Sequence, residues 1–223
     1  AGKKVGMVST INARIGDREI DTGFHVTNPA PELLQKLLSE MVQTKMEYAV
    51  VEVTSHGIDQ DRIVGVDFYG AVITNVTHEH LDYHKTYEEY LKTKGKLFKD
   101  VTFSVLNLDD SSYELISKQV SGRLITYSLK GQAGVFASSI NLQGDTSQFT
   151  LGLDGSSTSP LHCGEVKLKI PGLYNISNGL AAAAVCRQLG LEPKEIIAGL
   201  ESFEGLVGRF EEINMGQNFK VIV

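Results

Sequence analysis

Cysteine is scarce in this 223-residue chain: Cys163 and Cys186 stand in unrelated surroundings, with no metal-ligand spacing between them. A thiolate metal site is thereby excluded, and free thiols in a reducing compartment are the expectation. No apolar run approaches the ~20 residues that a membrane span needs, and no stretch has the pattern of a secretory signal. The expected location is the cytoplasm. Positive charge is in deficit, with 21 basic against 27 acidic residues and a net charge of −6. That argues against a nucleic-acid or membrane-surface partner. There are no internal repeats, and only "DGSSTSP" at 154–160 approaches low complexity, as a loop.

What is present reads as an ordinary globular chain, 42% hydrophobic and 22% charged, long enough to bury a substantial core. "KVGMV" at 4–8 predicts a strand, and "IGDREI" a tight hairpin. In "PAPELLQKLLSEMVQTK", Leu33, Leu34, Leu37, Leu38 and Met41 share one helical face, with Thr27 and Asn28 as candidate caps. "YAVVEV" at 48–53 and "FYGAVITNV" at 68–76 are continuous apolar runs, of the kind buried on both faces of a parallel sheet. A helix from about Tyr87 to Phe98, the strand "VTFSVLN", a short helix over 111–120 and the strand "RLITY" complete a β-α-β series. The expected architecture is α/β with a doubly wound, mostly parallel sheet. From 132 to 170 the pattern becomes alternating, with Gly/Asp/Ser turns; a small antiparallel β subdomain is expected there. Helices return with "NISNGLAAAAVCRQLG", closed by Gly190, and "EPKEIIAGLESF". The chain opens on "AGKKVGMVS" and stops on "FKVIV", inside an apolar run. Domain boundaries normally fall in polar linkers, so the expectation is a piece of a longer polypeptide, cut at both ends.

In an open parallel sheet, ligands bind outside the carboxyl ends of the strands. Glu52 ends "YAVVEV" and is followed by "TSHG"; Asn75 ends the next run and is followed by "HEHLDYH"; Lys94 lies on the helix after that. The histidine cluster resembles a zinc-hydrolase signature, but with one extra residue before its last His, and only His162 remains downstream as a further ligand. A hydrolytic zinc site needs about three protein ligands, so zinc is not the reading. His78, Glu79 and His84, taken singly, read as loop-solvating and helix-capping residues. Glu52 reads differently, because a carboxylate closing an apolar strand needs a partner, and a cation is the commonest functional one.

The stretch from "VVEVTSHG" through "QDR", "TNVTHEHLDYH" and "KGKLF" resembles the central domain of the Mur ligases, most closely the members that add the third residue of the peptidoglycan stem peptide. "TNPAPELLQKLL", "IPGLYNISNGLAAAAV" and "GLVGRFEEI" are similar to further motifs of that family. The resemblance implies a P-loop NTPase-like fold and an ATP-dependent ligase that extends a UDP-N-acetylmuramoyl-peptide by an amino acid, through an acyl phosphate. It places Glu52 and His80 as Mg²⁺ ligands and Lys94 as a carbamylated, metal-binding lysine, these three forming the catalytic group. Thr27, Asn28, Ser55, Gln60 and Arg62 fall at substrate positions, with Asn28 standing where the family has a second Thr. Asn75, Asn175, Asn178 and Arg209 fall on the nucleotide side; Asn175 also reads as a helix N-cap. Mg²⁺ prefers oxygen ligands, and a buried neutral lysine amine can take up CO₂ to become an anion.

The family's Gly-x-x-Gly-Lys-Thr phosphate loop occurs nowhere in these residues. Hence the chain alone is expected to be catalytically silent, and its sheet to have an open slot where the strand leading into that loop lies. A folylpolyglutamate- or cyanophycin-type ligase, or a non-catalytic binding role with the flanking segments as partners, are the alternatives.

Overall fold

The computed structural model describes residues 2–22, 27–77, 84–131, 133–153, 161–206, 212–213, 215–219 and 221–222. Its first sheet has the order β3-β2-β1-β4. β1 (Val5–Val8) runs parallel to β4 (Tyr48–Val51), in register Val5 to Tyr48 and Val8 to Val51. On its other side β1 pairs antiparallel with β2 (Ala13–Ile15), which folds back through Gly16 and Asp17 onto β3 (Arg18–Ile20), the expected hairpin. Helix α1 (Pro31–Gln43) covers one face, burying Leu34, Leu37 and Met41 with Val8, Ala13 and Ile15.

Thr27 and Asn28 do not cap α1. The helix begins after Ala30 with Pro31 in its first turn and no side-chain cap, because Pro fixes a helical φ where no N–H is needed. Asn28 is buried elsewhere, as described below.

The second sheet has the order β10-β9-β8-β7-β6-β5. β5 (Gly70–Ile73), β6 (Phe103–Asn107) and β7 (Arg123–Ser128) are parallel. β8 (Val135–Gln143) joins β7 in parallel through Tyr127–Val135 and Ser128–Phe136, then continues antiparallel into β9 (Thr146–Leu153) and β10 (Leu161–Leu168). The expected antiparallel strands therefore form, and they extend the parallel sheet. Short α2 (Ser55–Asp59) follows β4. Helices α3 (Tyr87–Gly95), capped by the Thr86 hydroxyl and continued by a 3₁₀ turn to Phe98, and α4 (Tyr113–Ile116) pack on one face, with Tyr90, Leu91, Phe98 and Ile116 against Ile73 and Leu106. Helices α5 (Leu173–Gln188) and α6 (Pro193–Ser202) pack on the other, with Ile176, Leu180, Ala184 and Ile196 against Val105, Tyr127 and Val166. Gly190, at φ 86°, closes α5: Leu191 N–H donates to the Cys186 carbonyl and Gly190 N–H to that of Arg187, a left-handed turn that suits glycine. A small pair, β11 (Glu212–Ile213) and β12 (Val221–Ile222), lies near the C-terminus.

The open slot expected in the parallel sheet is present among the described residues: the strands form two sheets, each ending on an open parallel strand, β4 and β5. "YAVVEV" is accordingly not buried on both faces: Ala49 and Val50 are exposed, and Tyr48 and Val51 only half-buried. The reason is the lack of a neighbour beyond β4 among the described residues. No helix among them is long and apolar enough to cross a membrane.

Candidate functional site

Glu52 directly follows β4, and its carboxylate is held by one residue. Thr10 donates to Oε2 twice, from its backbone N–H at 2.8 Å and from its hydroxyl at 3.0 Å. The Thr10 hydroxyl also lies 2.9 Å from that of Thr27. Among the described residues Oε1 receives no hydrogen bond, and no lysine or arginine pairs with Glu52. Thr10 escaped the sequence reading because it sits 42 residues from Glu52, in a loop without a recognised motif.

Asn28, 1% exposed, fastens the same turn. Its Nδ2 donates to the Glu52 carbonyl at 2.7 Å, while its Oδ1 accepts from the backbone N–H and the hydroxyl of Thr54, each at 2.9 Å. Gly57 makes room: a Cβ there would stand 2.1 Å from Asn28 Oδ1. Thr54 caps α2 by accepting from Gly57 N–H at 3.0 Å. Arg62 donates from Nη1 to the Asn28 carbonyl and from Nε to Gln60 Oε1, both at 2.9 Å. Ser55, 2% exposed, opens α2 with its hydroxyl unpaired among the described residues; leaving such a group unsatisfied costs about 1–3 kcal/mol. The five substrate-side positions thus form one neighbourhood around the Glu52 turn, with Asn28 turned into the protein and the Ser55 hydroxyl buried without a partner among the described residues.

A second group runs from α2 to α3 through aromatic rings. The His56 and His84 rings lie 5.7 Å apart, His84 stacks on Tyr90 at 5.1 Å, and Lys94 Nζ sits 5.2 Å from the Tyr90 ring centre. Such a placement favours a cation over the ring face. His80, the other expected metal ligand, lies outside the described residues, as do His78, Glu79, Asp82 and Arg209.

A third group gathers at the end of β5. The Thr74 carbonyl accepts from Asn107 Nδ2 at 2.9 Å and from the Tyr127 hydroxyl at 3.2 Å, and Val76 N–H donates to Asp110 at 3.3 Å. Tyr127 is fully buried, and burial pushes its phenol well above the ordinary range, with Asp110 and Asp109 adding to the effect. It remains a hydrogen-bond donor. Thr74 and Asn75 line a cavity of ≈ 1240 Å³ together with Glu52, Asn175, Asn178 and the apolar faces of α5 and α6. Asn175 is not the N-cap of α5, which is Gly172; it is the third helical residue, its amide donating to the Pro171 carbonyl at 2.7 Å. Cys186 also lines the cavity, its thiol raised by burial. The cavity therefore sets the Glu52 carboxylate, just past β4, against the Asn75 amide after β5 and two amides of α5, with Glu195 of α6 as a second carboxylate. A group with phosphate or sugar oxygens and a divalent cation suits that lining.

The family model described as Mur ligase middle domain matches residues 1–186. A Clostridium tetani protein, UDP-N-acetylmuramoyl-L-alanyl-D-glutamate--2,6-diaminopimelate ligase, is 38% identical over 227 residues that take in the whole of this chain and 45% of the relative. A Geobacillus kaustophilus protein of the same name is 35% identical over 233 residues, again with the whole chain and 46% of the relative. A solved structure titled for the same ligase superposes with a TM-score of 0.82 at 25% identity, over 95% of this chain and 43% of that one. The chain spans less than half the length of each.

Proposed function

Because this chain belongs to the Mur ligase middle domain family, we propose that it handles cation, nucleotide and substrate within an ATP-dependent ligase. That ligase joins an amino acid to a UDP-N-acetylmuramoyl-peptide during peptidoglycan synthesis in the cytoplasm. The substrate carboxylate attacks the γ-phosphate of ATP, giving an acyl phosphate and ADP. The amine of the amino acid then displaces phosphate and forms the amide. The relatives' names make 2,6-diaminopimelate the first amino acid to try.

The carrying observation is the clamped Glu52 carboxylate, one oxygen spent on Thr10 and the other open among the described residues, at a cavity that Asn75, Asn175 and Asn178 also line. A lone carboxylate oxygen fits Mg²⁺, which keeps several waters and takes few protein ligands. Glu52 and His80 would hold one ion, and a carbamylated Lys94 a second. Mg²⁺, when bound, neutralises the phosphate charge that develops as the new bond forms. The chain's own residues position. Among the described residues the buried Ser55 hydroxyl is unspent, and Arg62, with Nε and Nη1 engaged by Gln60 and the Asn28 carbonyl, keeps Nη2 for a carboxylate or phosphate oxygen. Asn175, Asn178 and Arg209 serve the nucleotide.

The test is ADP formation by the longer polypeptide that carries this chain. It should require both the UDP-linked peptide and the amino acid, and Glu52→Gln should lower it by about 100-fold or more. The 223 residues alone should form no ADP. Undiminished ADP formation by Glu52→Gln would refute the role of Glu52, and turnover driven by a folate and glutamate would assign the sister activity.

A further inference from the structure

Counting protons around Thr10 gives the hydrogen bonds a fixed direction. A carboxylate only accepts, and a threonine hydroxyl has a single proton to give. The Thr10 hydroxyl gives its proton to Glu52 Oε2 at 3.0 Å. The 2.9 Å contact between Thr10 and Thr27 must therefore be donated by Thr27. The order is Thr27 hydroxyl to Thr10 hydroxyl to Glu52 Oε2, with Thr10 N–H as a second donor to that same oxygen. Two consequences follow. Two donors on Oε2 saturate it and fix the plane and rotamer of the carboxylate, so Oε1 alone is left for a cation. Thr27, its proton committed inward, can meet a ligand only as an acceptor.

We propose that Thr10 is a positioning residue: it presents Glu52 as a one-oxygen ligand to a divalent cation and commits Thr27 to accept from an N–H or O–H group of the substrate. This rests on the reading of Glu52 as a cation ligand given above. Asn28 supports it by pinning the Glu52 carbonyl at 2.7 Å, so that both ends of the residue are fixed before any ligand arrives. Residues that orient a metal ligand typically contribute 10–100-fold in affinity, and Thr10 meets that description through two bonds to one oxygen.

The probe is Mn²⁺, with free ion counted by electron paramagnetic resonance during titration of the 223-residue chain. Thr10→Val removes the hydroxyl and keeps the backbone N–H and the side-chain shape. It should weaken Mn²⁺ binding about tenfold, whereas Thr10→Ser, which restores the hydroxyl, should stay within about twofold of the unmodified chain. Should Val not be accommodated, as judged by circular dichroism, Thr10→Ala gives the same comparison. Glu52→Gln separates the two levels of the claim. If it abolishes binding while Thr10→Val and Thr10→Ala bind as well as the unmodified chain, the positioning role is wrong and the cation reading stands. If the unmodified chain does not bind Mn²⁺, or Glu52→Gln leaves binding unchanged, the cation reading itself is overturned and the inference goes with it.

Discussion

Strands β4, Tyr-Ala-Val-Val, and β6, Phe-Ser-Val-Leu-Asn, are both built mainly of large apolar residues, yet Val50 in the first is 56% exposed while Val105 and Leu106 in the second are fully buried. The difference lies in the neighbours. β6 has β5 and β7 on its two edges, α5 over the Val105 face and α3 over the Leu106 face. β4 has β1 on one edge, and the described residues offer nothing for the other. An apolar run states which surfaces a strand is able to bury, whereas its partners decide which surfaces it does bury. The two open edges, β4 and β5, flank the junction at which Glu52 and Asn75 meet the cavity, so the exposed backbone and the candidate site coincide.

Truncating one side chain on each strand should separate the two environments most clearly. Leu106→Ala should lower the unfolding free energy by about 3 kcal/mol, since it removes a fully enclosed side chain and leaves a cavity. Val50→Ala should change it by less than about 0.5 kcal/mol, as expected for a surface position. Urea unfolding of the two variants measures both. Equal losses would mean that β4 is packed as tightly as β6.

Next in size is the turn that follows β4. Asn28 satisfies one carbonyl, one N–H and one hydroxyl from a position 1% exposed. Asn28→Ala should therefore cost about 2 kcal/mol, mostly from groups left unsatisfied. Asn28→Thr, which places the residue that the resembling family carries there, should recover part of it. A thermal melt of Asn28→Ala within a degree of the unmodified chain would show that water replaces the amide at no cost.

How legible all this was in the sequence follows the same division. The hairpin, the α1 face, the parallel β5-β6-β7 order and the three antiparallel strands could be read from periodicity and turn residues, because each is decided by local pattern. The break between β4 and β5 could not be read from "YAVVEV", whose pattern matches that of a fully enclosed strand; only the absent phosphate-loop motif pointed to it. At the site, Glu52 was legible because a charge ends an apolar run. Thr10 was not, since a threonine in a loop is common and its partner is 42 residues away. The inward use of Asn28 was hidden for a similar reason: Asn before a helix reads as a cap until the fold supplies a carbonyl and an N–H at closer range.

A smaller effect should appear in association rather than in folding. Open parallel edges pair with other chains, and lysine on an edge is a common natural guard. Sedimentation velocity of the unmodified chain should show concentration-dependent self-association. Val50→Lys combined with Val72→Lys, at positions 56% and 38% exposed, should shift the boundary towards monomer. A monomeric unmodified chain at every concentration would mean that β4 and β5 are protected by something beyond their neighbours in the sheets.

The smallest effect belongs to a surface pair at the start of the four-stranded half. Lys3 donates to Glu47 at 2.8 Å, and Lys4 N–H donates to the same carboxylate at 3.1 Å. The Lys3 hydrogen bond, then that of Lys4, holds the Glu47 carboxyl below its ordinary 4.5, and the same Glu47 bond pushes Lys3 above its ordinary 10.5. A carboxyl lowered by folding stabilises the fold above its ordinary value and loses that contribution as pH falls through its folded value. A raised lysine contributes below its ordinary value and loses the contribution as pH rises through its folded one. Stability from this pair is therefore flat from about pH 5 to pH 10 and declines on both sides. Both groups are open to water, where salt screens them and exposed pairs contribute little. Glu47→Gln should leave the melting temperature nearly unchanged at physiological salt and lower it slightly at low salt and pH 7. The gap between variant and unmodified chain should close as pH falls below the ordinary 4.5 and on through the lowered value that Glu47 has in the fold. A gap that persisted undiminished in acid, with the carboxyl fully protonated, or grew with added salt, would show that Glu47 acts through packing at the join of β1 and β4 and not through its charge.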